Sequence, residues 1–571
     1  MAEIDLDRSY PRRRMPNDAD LSDADEVRRQ YGRLEALPLT EAGEVEIFLD
    51  ALSELESAIA EVGEQASVAA ARDTRDEAAA AAYRHFGQQI LPAATEAAAA
   101  ARQRLLAATG TAGLGDYYGP FLREARAEVE LFREQNLALI AEHEQLKQRY
   151  DEISGAWMVE LDGERLTRPA AAARIEEPDR ALRERAWRAH WAPHLTDAGS
   201  MEALLDEMLG LRRDLAANAD RPSFREYMWQ EYARFDYTPE DCFALQRAIE
   251  RCVVPAVSRL AEARQARLGV DTLRPWDLKV DPDGAAAVKA FGDEAEFKRK
   301  LSAVFHALDT ELGALFDGLA ARDLLDLGSR EGKAPGGFMS DLSESRLAFI
   351  FLNAVGTARD IGVLAHESGH AFHYLLAREQ RLQGYRQAPL EFAEVASMAM
   401  ELLARRHYDC VFEDPPTRER ILNKQLEEIL EFLPFMAMID AFQHWLYTTG
   451  DATDAGARAA KWVELDARFR PHIDWSGLEP MRRLGWQYPH VYRNPFYYIE
   501  YGIAQLGALQ VWRNQLEDPA RGLRLYKEAL ALGGSRPLPE LFEAAGGRFA
   551  MDESLVAPLV ALVQEQLGRG A

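Results

Sequence analysis

Apolar positions recur every three to four residues over most of the chain, with charged residues filling the gaps. In VELFREQNLALIAEHEQLKQ the leucines and alanines share one face of a helix and the charges occupy the other. The alanine-rich stretches DEAAAAAYRHF and TEAAAAARQRLL have high intrinsic helix propensity. The pattern predicts helix throughout residues 23–235. Glycine and proline interrupt it repeatedly, which favours a bundle of separate helices over one long coiled coil. No internal repeat is present. A second helical region contains PEDCFALQRAIERCVVPAVSRLAEARQARLG, with Thr238 placed as N-cap and Pro239 at the first helical position. The stretch DTLRPWDLKVDPDG reads as a loop or short extended segment. One segment alone reads well as a strand: RLAFIFLN, residues 346–353, which is short, apolar and rich in Phe and Ile, and follows the turn-forming KAPGGFMSD. The remainder reads as helices and loops. The expected fold is therefore mainly α, with a small β-sheet just ahead of the stretch TARDIGVLAHESGHAFHYLL, residues 357–376.

Composition narrows the function classes. The 571 residues are 47% hydrophobic and 28% charged, an ordinary globular balance. A formal net charge of −27 repels phosphate backbones and argues against nucleic-acid binding. The three cysteines, Cys242, Cys252 and Cys410, cannot all pair and form no CxxC spacing, which fits a reducing compartment. The N-terminal residues lack the apolar core of a secretory signal, and no run of 18 apolar residues could span a bilayer. The expectation is a soluble, cytoplasmic protein that engages neither nucleic acid nor membrane. Residues 1–22, charged and broken by Pro11 and Pro16, are expected to form a loose arm.

The stretch at 357–376 carries titratable groups on an otherwise apolar helix. His366, Glu367 and His370 form H-E-x-x-H. Residues four apart share a helix face with Cβ atoms about 5–6 Å apart, so two imidazoles can reach one ion at about 2.0–2.1 Å each. Glu367, turned by about 100°, can stand beside the ion's water. Thr357 and Asp360 match a capping box with Asp in place of Glu. Gly369 allows another backbone to approach closely. His373 lies roughly 10 Å along the axis from His366, too far for a third ligand on a straight helix, and is expected to pack or to support. A further ligand is sought in QAPLEFAEVASMAMELLARRHYD, whose apolar surroundings predict a buried helix opening at Pro389. Glu391, Glu394 and Glu401 share a face there. A buried carboxylate needs a cation or an arginine, and spacing does not choose among the three.

The succession HESGHAFH and FAEVASMAME resembles the M3 family of zinc metallopeptidases, the thimet oligopeptidase and oligoendopeptidase F group. The likeness extends to LRRDLAANADRPSFREYMWQEYARFDYTPED, to GGFMSDLSESRLAFIFLN and to WQYPHVYRNPFYYIEYGIAQ, and spans about residues 200–560. It implies two helical lobes enclosing a deep channel, with 23–200 as an N-terminal helical lobe and 201–571 as the catalytic region. It selects Glu394 as the third ligand of one Zn2+ beside His366 and His370, with Glu401 supporting a ligand histidine. Glu367 becomes the general base. His490, Tyr498 and Tyr501 become donors to the oxyanion, with Tyr497 as the alternative tyrosine. Ser368 departs from the usual apolar residue at its position. The strand is implied to border the channel, where a free edge could pair with an extended peptide. The resemblance thus implies an endopeptidase acting on short unstructured oligopeptides. A related helical carboxypeptidase or dipeptidase is an alternative within enzymes, and a degenerate peptide-binding scaffold is one outside them.

Overall fold

The computed structural model describes residues 4–285 and 288–568. Residues 1–3 of the expected arm lie outside the described residues. The contacts divide the chain into two compact units, each assembled from interleaved segments. One gathers the described parts of 1–130, 288–422 and 503–549. The other gathers those of 131–287, 423–502 and 550–571. The stretch 23–200 is thus shared between the units, changing over at residue 130. Helices dominate both, and among the described residues no helix is long and apolar enough to cross a membrane.

In the first unit, the 31-residue helix Ala42–Arg72 buries Phe48, Leu49, Leu52 and Leu55. These pack with Ile90, Leu105, Tyr118 and Tyr385 into one core. Residues 4–22 form no helix or strand but make specific contacts. The Glu54 carboxylate accepts the backbone N–H groups of Arg13, Arg14 and Met15 at 2.7–2.9 Å, and Arg12 bonds Glu344 through two nitrogens.

The same unit holds a three-stranded sheet of β3 (Leu325–Gly328), β4 (Phe338–Leu342) and β5 (Leu347–Ala354), in the order β3-β5-β4. The predicted strand is β5. It is the central one, parallel to β3 and antiparallel to β4, so the sheet's edges belong to β3 and β4 rather than to β5. Pro335, Gly336 and Gly337 made this stretch read as a turn, but the turn ends where β4 begins.

The second unit contains the 39-residue helix Arg180–Asn218 and a tryptophan cluster of Trp187 and Trp276 with Trp191 and Trp475 against it. It also corrects the expectation of unbroken helix over 23–235. β1 (Met158–Leu161) and β2 (Glu164–Thr167) form an antiparallel hairpin. Its two-residue turn is Asp162–Gly163, with φ of 52° and 87°, the conformation that Asp-Gly adopts most readily. A second helix start, at Asn136, divides VELFREQNLALIAEHEQLKQ after Leu131. Ahead of Pro255, Ile249–Val253 widens into a π turn, as suits a proline that donates no hydrogen bond.

Candidate functional site

Helix Ala358–Ala377 starts as its sequence requires. The Thr357 hydroxyl accepts the Asp360 N–H, and the Asp360 carboxylate accepts the N–H groups of Val355, Gly356 and Thr357 at 2.8–3.0 Å. One side of this helix packs on helix Leu390–Ala404. Gly369 makes that crossing close: a Cβ there would stand 2.6 Å from Ser397 Cα and 2.7 Å from the Ala396 carbonyl oxygen. The two backbones therefore meet one turn from His366 on one helix and beside Glu394 on the other.

This crossing gathers His366, His370 and Glu394. Their donor atoms all lie within 4.8 Å of one another. Glu394 Oε2 is 3.5 Å from His366 Nε2 and 3.7 Å from His370 Nε2. These separations are long for hydrogen bonds. They match donors about 2.1 Å from a shared tetrahedral ion, which stand about 3.4 Å apart. The residues present thus fit a zinc-type ion in number, chemistry and spacing.

The surroundings orient these donors. Glu401 Oε1 lies 2.8 Å from His366 Nδ1, an arrangement that fixes a proton on Nδ1 and turns Nε2 toward Glu394. The Ser397 hydroxyl donates to Glu394 Oε2 at 3.2 Å and to the Glu394 carbonyl at 3.0 Å. Burial opposes protonation of His366, but the Glu401 hydrogen bond and the charges of Glu401, Glu394 and Glu367 outweigh it and lift the ring to about 9. A dication bound at this ring would take the place of its Nε2 proton. His370, enclosed and next to two other imidazoles, is held well below the usual histidine range.

Glu367 is 8% exposed. Burial lifts its carboxyl to about 7, with His366 opposing the rise, Glu394 and Glu401 adding to it, and the Met339 N–H of β4 also favouring the charged form. The edge strand thus lies against this carboxylate. His373 stays outside the three-donor group, as the helix pitch requires, and packs against the Phe392 ring. Its Nε2 has no hydrogen-bond partner among the described residues, and burial lowers it to about 4. Glu391 is buried but also outside the group. Ser368 is fully enclosed.

The second unit brings His490, Tyr498 and Tyr501 together. The His490 ring centroid is 4.5 Å from that of Tyr498 and 6.2 Å from that of Tyr501. Tyr497 lies 6.3 Å from His490 and 5.3 Å from Tyr501, so it belongs to the same cluster. Burial lowers His490 to about 4, aided by Arg493, and raises Tyr498 far above the usual phenol range. Phe496, two residues before the helix Tyr498–Glu517, has φ of 66°, a strained conformation for an aromatic residue. It is clamped from both sides: its N–H donates to Gln443 Oε1 at 2.6 Å and its carbonyl accepts from Arg234 at 2.6 Å. Such strain persists where surrounding contacts fix it, and it sets the direction in which the tyrosines leave the turn.

The family resemblance includes Ser397, three residues after Glu394 in an E-x-x-S setting, but gives it no donor role. Sequence reasoning missed the donor supplied by the Met339 backbone, and also Tyr488, which stacks on His490 at 5.5 Å. Nothing local announces Met339.

The sequence model of Peptidase family M3 matches residues 174–559. An oligoendopeptidase F homolog of Lactococcus lactis subsp. lactis (strain IL1403) is 23% identical over 325 residues, 54% of this chain and 51% of that protein. One from Borreliella burgdorferi is 24% identical over 297 residues, 50% of this chain and 49% of that protein. The chain spans about half the length of the curated relatives it matches. Among solved structures, a PZ peptidase A with an inhibitor superposes with a TM-score of 0.86 at 24% identity, covering 98% of each chain. A structure provisionally assigned as oligoendopeptidase F superposes with a TM-score of 0.88 at 26% identity, covering 96% of this chain and 97% of that one.

Proposed function

Because the chain belongs to peptidase family M3, we propose that it is a zinc-dependent endopeptidase that cuts internal bonds of short, unstructured oligopeptides. The observation that carries this reading is the convergence of His366, His370 and Glu394 at the spacing of ligands around one dication. These three residues would hold the ion, and zinc bound there would supply Lewis-acid polarisation of water and of the scissile carbonyl. The chain's own groups do the remainder. Glu367 takes a proton from the attacking water and returns it to the leaving amine. Its burial beside the ligand pair suits it to both directions of that transfer. His490, Tyr498 and Tyr501 donate hydrogen bonds to the oxyanion as the carbonyl carbon becomes tetrahedral. Their mutual packing supports this assignment, since three donors fixed as one cluster need no reordering during the reaction.

β4 supports a preference for unstructured peptides. It is an edge strand beside Glu367, and a strand edge binds backbone rather than particular side chains. An extended segment can add to it, and a folded domain cannot. The test pairs Glu367→Gln with the unaltered chain. The variant should keep its zinc, measured by elemental analysis, while turnover of a quenched oligopeptide falls by at least about 10²-fold, as for a lost general base. Normal turnover by the variant refutes the role of Glu367. Failure to cut a peptide blocked at both ends refutes the endopeptidase reading.

A further inference from the structure

The second unit holds another convergence of metal-binding groups, far along the sequence from H-E-x-x-H. Cys242, Asp440 and His444 are all buried, and their donor atoms lie within 4.8 Å of one another. Two helices supply them by the same spacing rule. Asp440 and His444 are four apart on helix Pro415–Thr448. Cys242 and Gln246 are four apart on helix Pro239–Ala248.

The hydrogen bonding within the cluster is incomplete. Gln246 Nε2 donates to Asp440 Oδ2 at 2.6 Å and holds the carboxylate in place. Asp440 Oδ1 and both ring nitrogens of His444 have no hydrogen-bond partner among the described residues, although Asp440 is 0% and His444 2% exposed. Leaving such atoms without partners costs about 1–3 kcal/mol each. His444 Nε2 stands 3.6 Å from Asp440 Oδ2, too long for a good hydrogen bond. It is close to the spacing of donors around a shared ion, and it falls between the 3.5 and 3.7 Å of the His366, His370 and Glu394 group.

Charge and surroundings agree. The guanidiniums nearest the cluster are matched elsewhere: Arg225 pairs with Glu226 at 2.6 Å and Arg234 with Glu500 at 2.7 Å. The His444 ring is enclosed by Phe243, Trp229 and Phe496, with centroids 4.7, 5.6 and 5.5 Å away.

We propose that Cys242, Asp440 and His444 form a second, structural site for a zinc-like divalent cation, tying helix Pro239–Ala248 to helix Pro415–Thr448. Binding releases the thiol proton of Cys242. The thiolate and the Asp440 carboxylate then balance the two positive charges, and His444 supplies a nitrogen. The site is independent of the peptidase reading, because none of its residues takes part in it.

Cobalt(II) separates the two sites, since a thiolate ligand produces a near-ultraviolet sulfur-to-cobalt charge-transfer band and the His366, His370 and Glu394 group contains no sulfur. The full-length chain, stripped with a chelator and reloaded, should bind two cobalt ions per chain and show that band. Cys242→Ser should remove the band and one equivalent, leaving the weaker visible bands of the other site. Glu394→Gln should remove the other equivalent and keep the charge-transfer band. The proposal is overturned if the unaltered chain shows no sulfur-to-cobalt band, or if the band survives Cys242→Ser and so arises at Cys252 or Cys410. The measurement on the unaltered chain is decisive even where a variant fails to fold.

Discussion

Gly369→Ala tests how the helix crossing sets the three-donor site. The new methyl carbon would lie 2.6 Å from Ser397 Cα, 2.7 Å from the Ala396 oxygen and 3.0 Å from Met400 Cβ. Two of these neighbours are backbone and cannot rotate away. Carbon atoms in contact rest about 3.5–4.0 Å apart, so helix Leu390–Ala404 must retreat from helix Ala358–Ala377 by about 1 Å. Glu394 travels with the retreating helix. Its Oε2, now 3.5 and 3.7 Å from the two imidazole nitrogens, then moves beyond the reach of an ion bound by both rings. Overpacking of this kind costs about 1–3 kcal/mol of stability, and a displacement of about 1 Å at a reacting centre costs about 10²-fold in rate. Zinc affinity, measured by competition with a chelator of known strength, should fall at least about tenfold, the lower range for a disturbed ligand shell. The kcat/KM for a quenched peptide should fall about 10²-fold. Unchanged zinc affinity in a folded variant would refute the argument, because it would show that the separation of these helices does not govern the position of Glu394.

Three further outcomes are expected. Glu401→Ala removes the acceptor 2.8 Å from His366 Nδ1 and should weaken zinc binding about 10–100-fold, whereas Glu401→Gln keeps an acceptor and should lose less; equal zinc affinity in both variants and the parent refutes the orienting role. Tyr498→Phe and Tyr501→Phe should lower kcat by up to about 10²–10³-fold with KM little changed, if either hydroxyl serves the oxyanion, and a loss confined to KM refutes it. Asp326 lies in a buried network in which Lys333 Nζ donates to it at 2.8 Å and Arg330 at 2.6 and 2.8 Å. Burial alone would raise its carboxyl, but these bonds outweigh burial and hold it at about 2. Its contribution is therefore complete above about pH 4 and lost as the pH falls through about 2, and Asp326→Asn should cost about 2–3 kcal/mol at pH 7 while flattening the acid-unfolding limb in that window. Superimposable acid-unfolding curves for variant and parent would refute this.

Local rules made part of the site legible. The capping box at Thr357 and Asp360 depends on residues three apart, and the histidine pair depends on residues four apart on the same helix. Both are set by helix pitch alone. The Asp-Gly turn of the β1–β2 hairpin was equally local, but the strongly helical composition around it masked the signal. β4 was hidden because its first residues follow the Pro335–Gly337 turn directly, and a five-residue strand has too short a pattern to outweigh that punctuation.

Order along the chain determined a mainly helical protein, the H-E-x-x-H face, and three glutamates on one side of the following helix. It could not choose among those glutamates by spacing, because distance across two packed helices depends on where they cross and not on either period. The close approach at Gly369 made that choice, bringing Glu394 toward the imidazoles and Glu401 behind His366. The same reason explains Cys242, Asp440 and His444, which the sequence scatters over two helices with no shared motif. Helix pitch is encoded residue by residue, whereas the meeting of distant side chains exists only once the cores have packed.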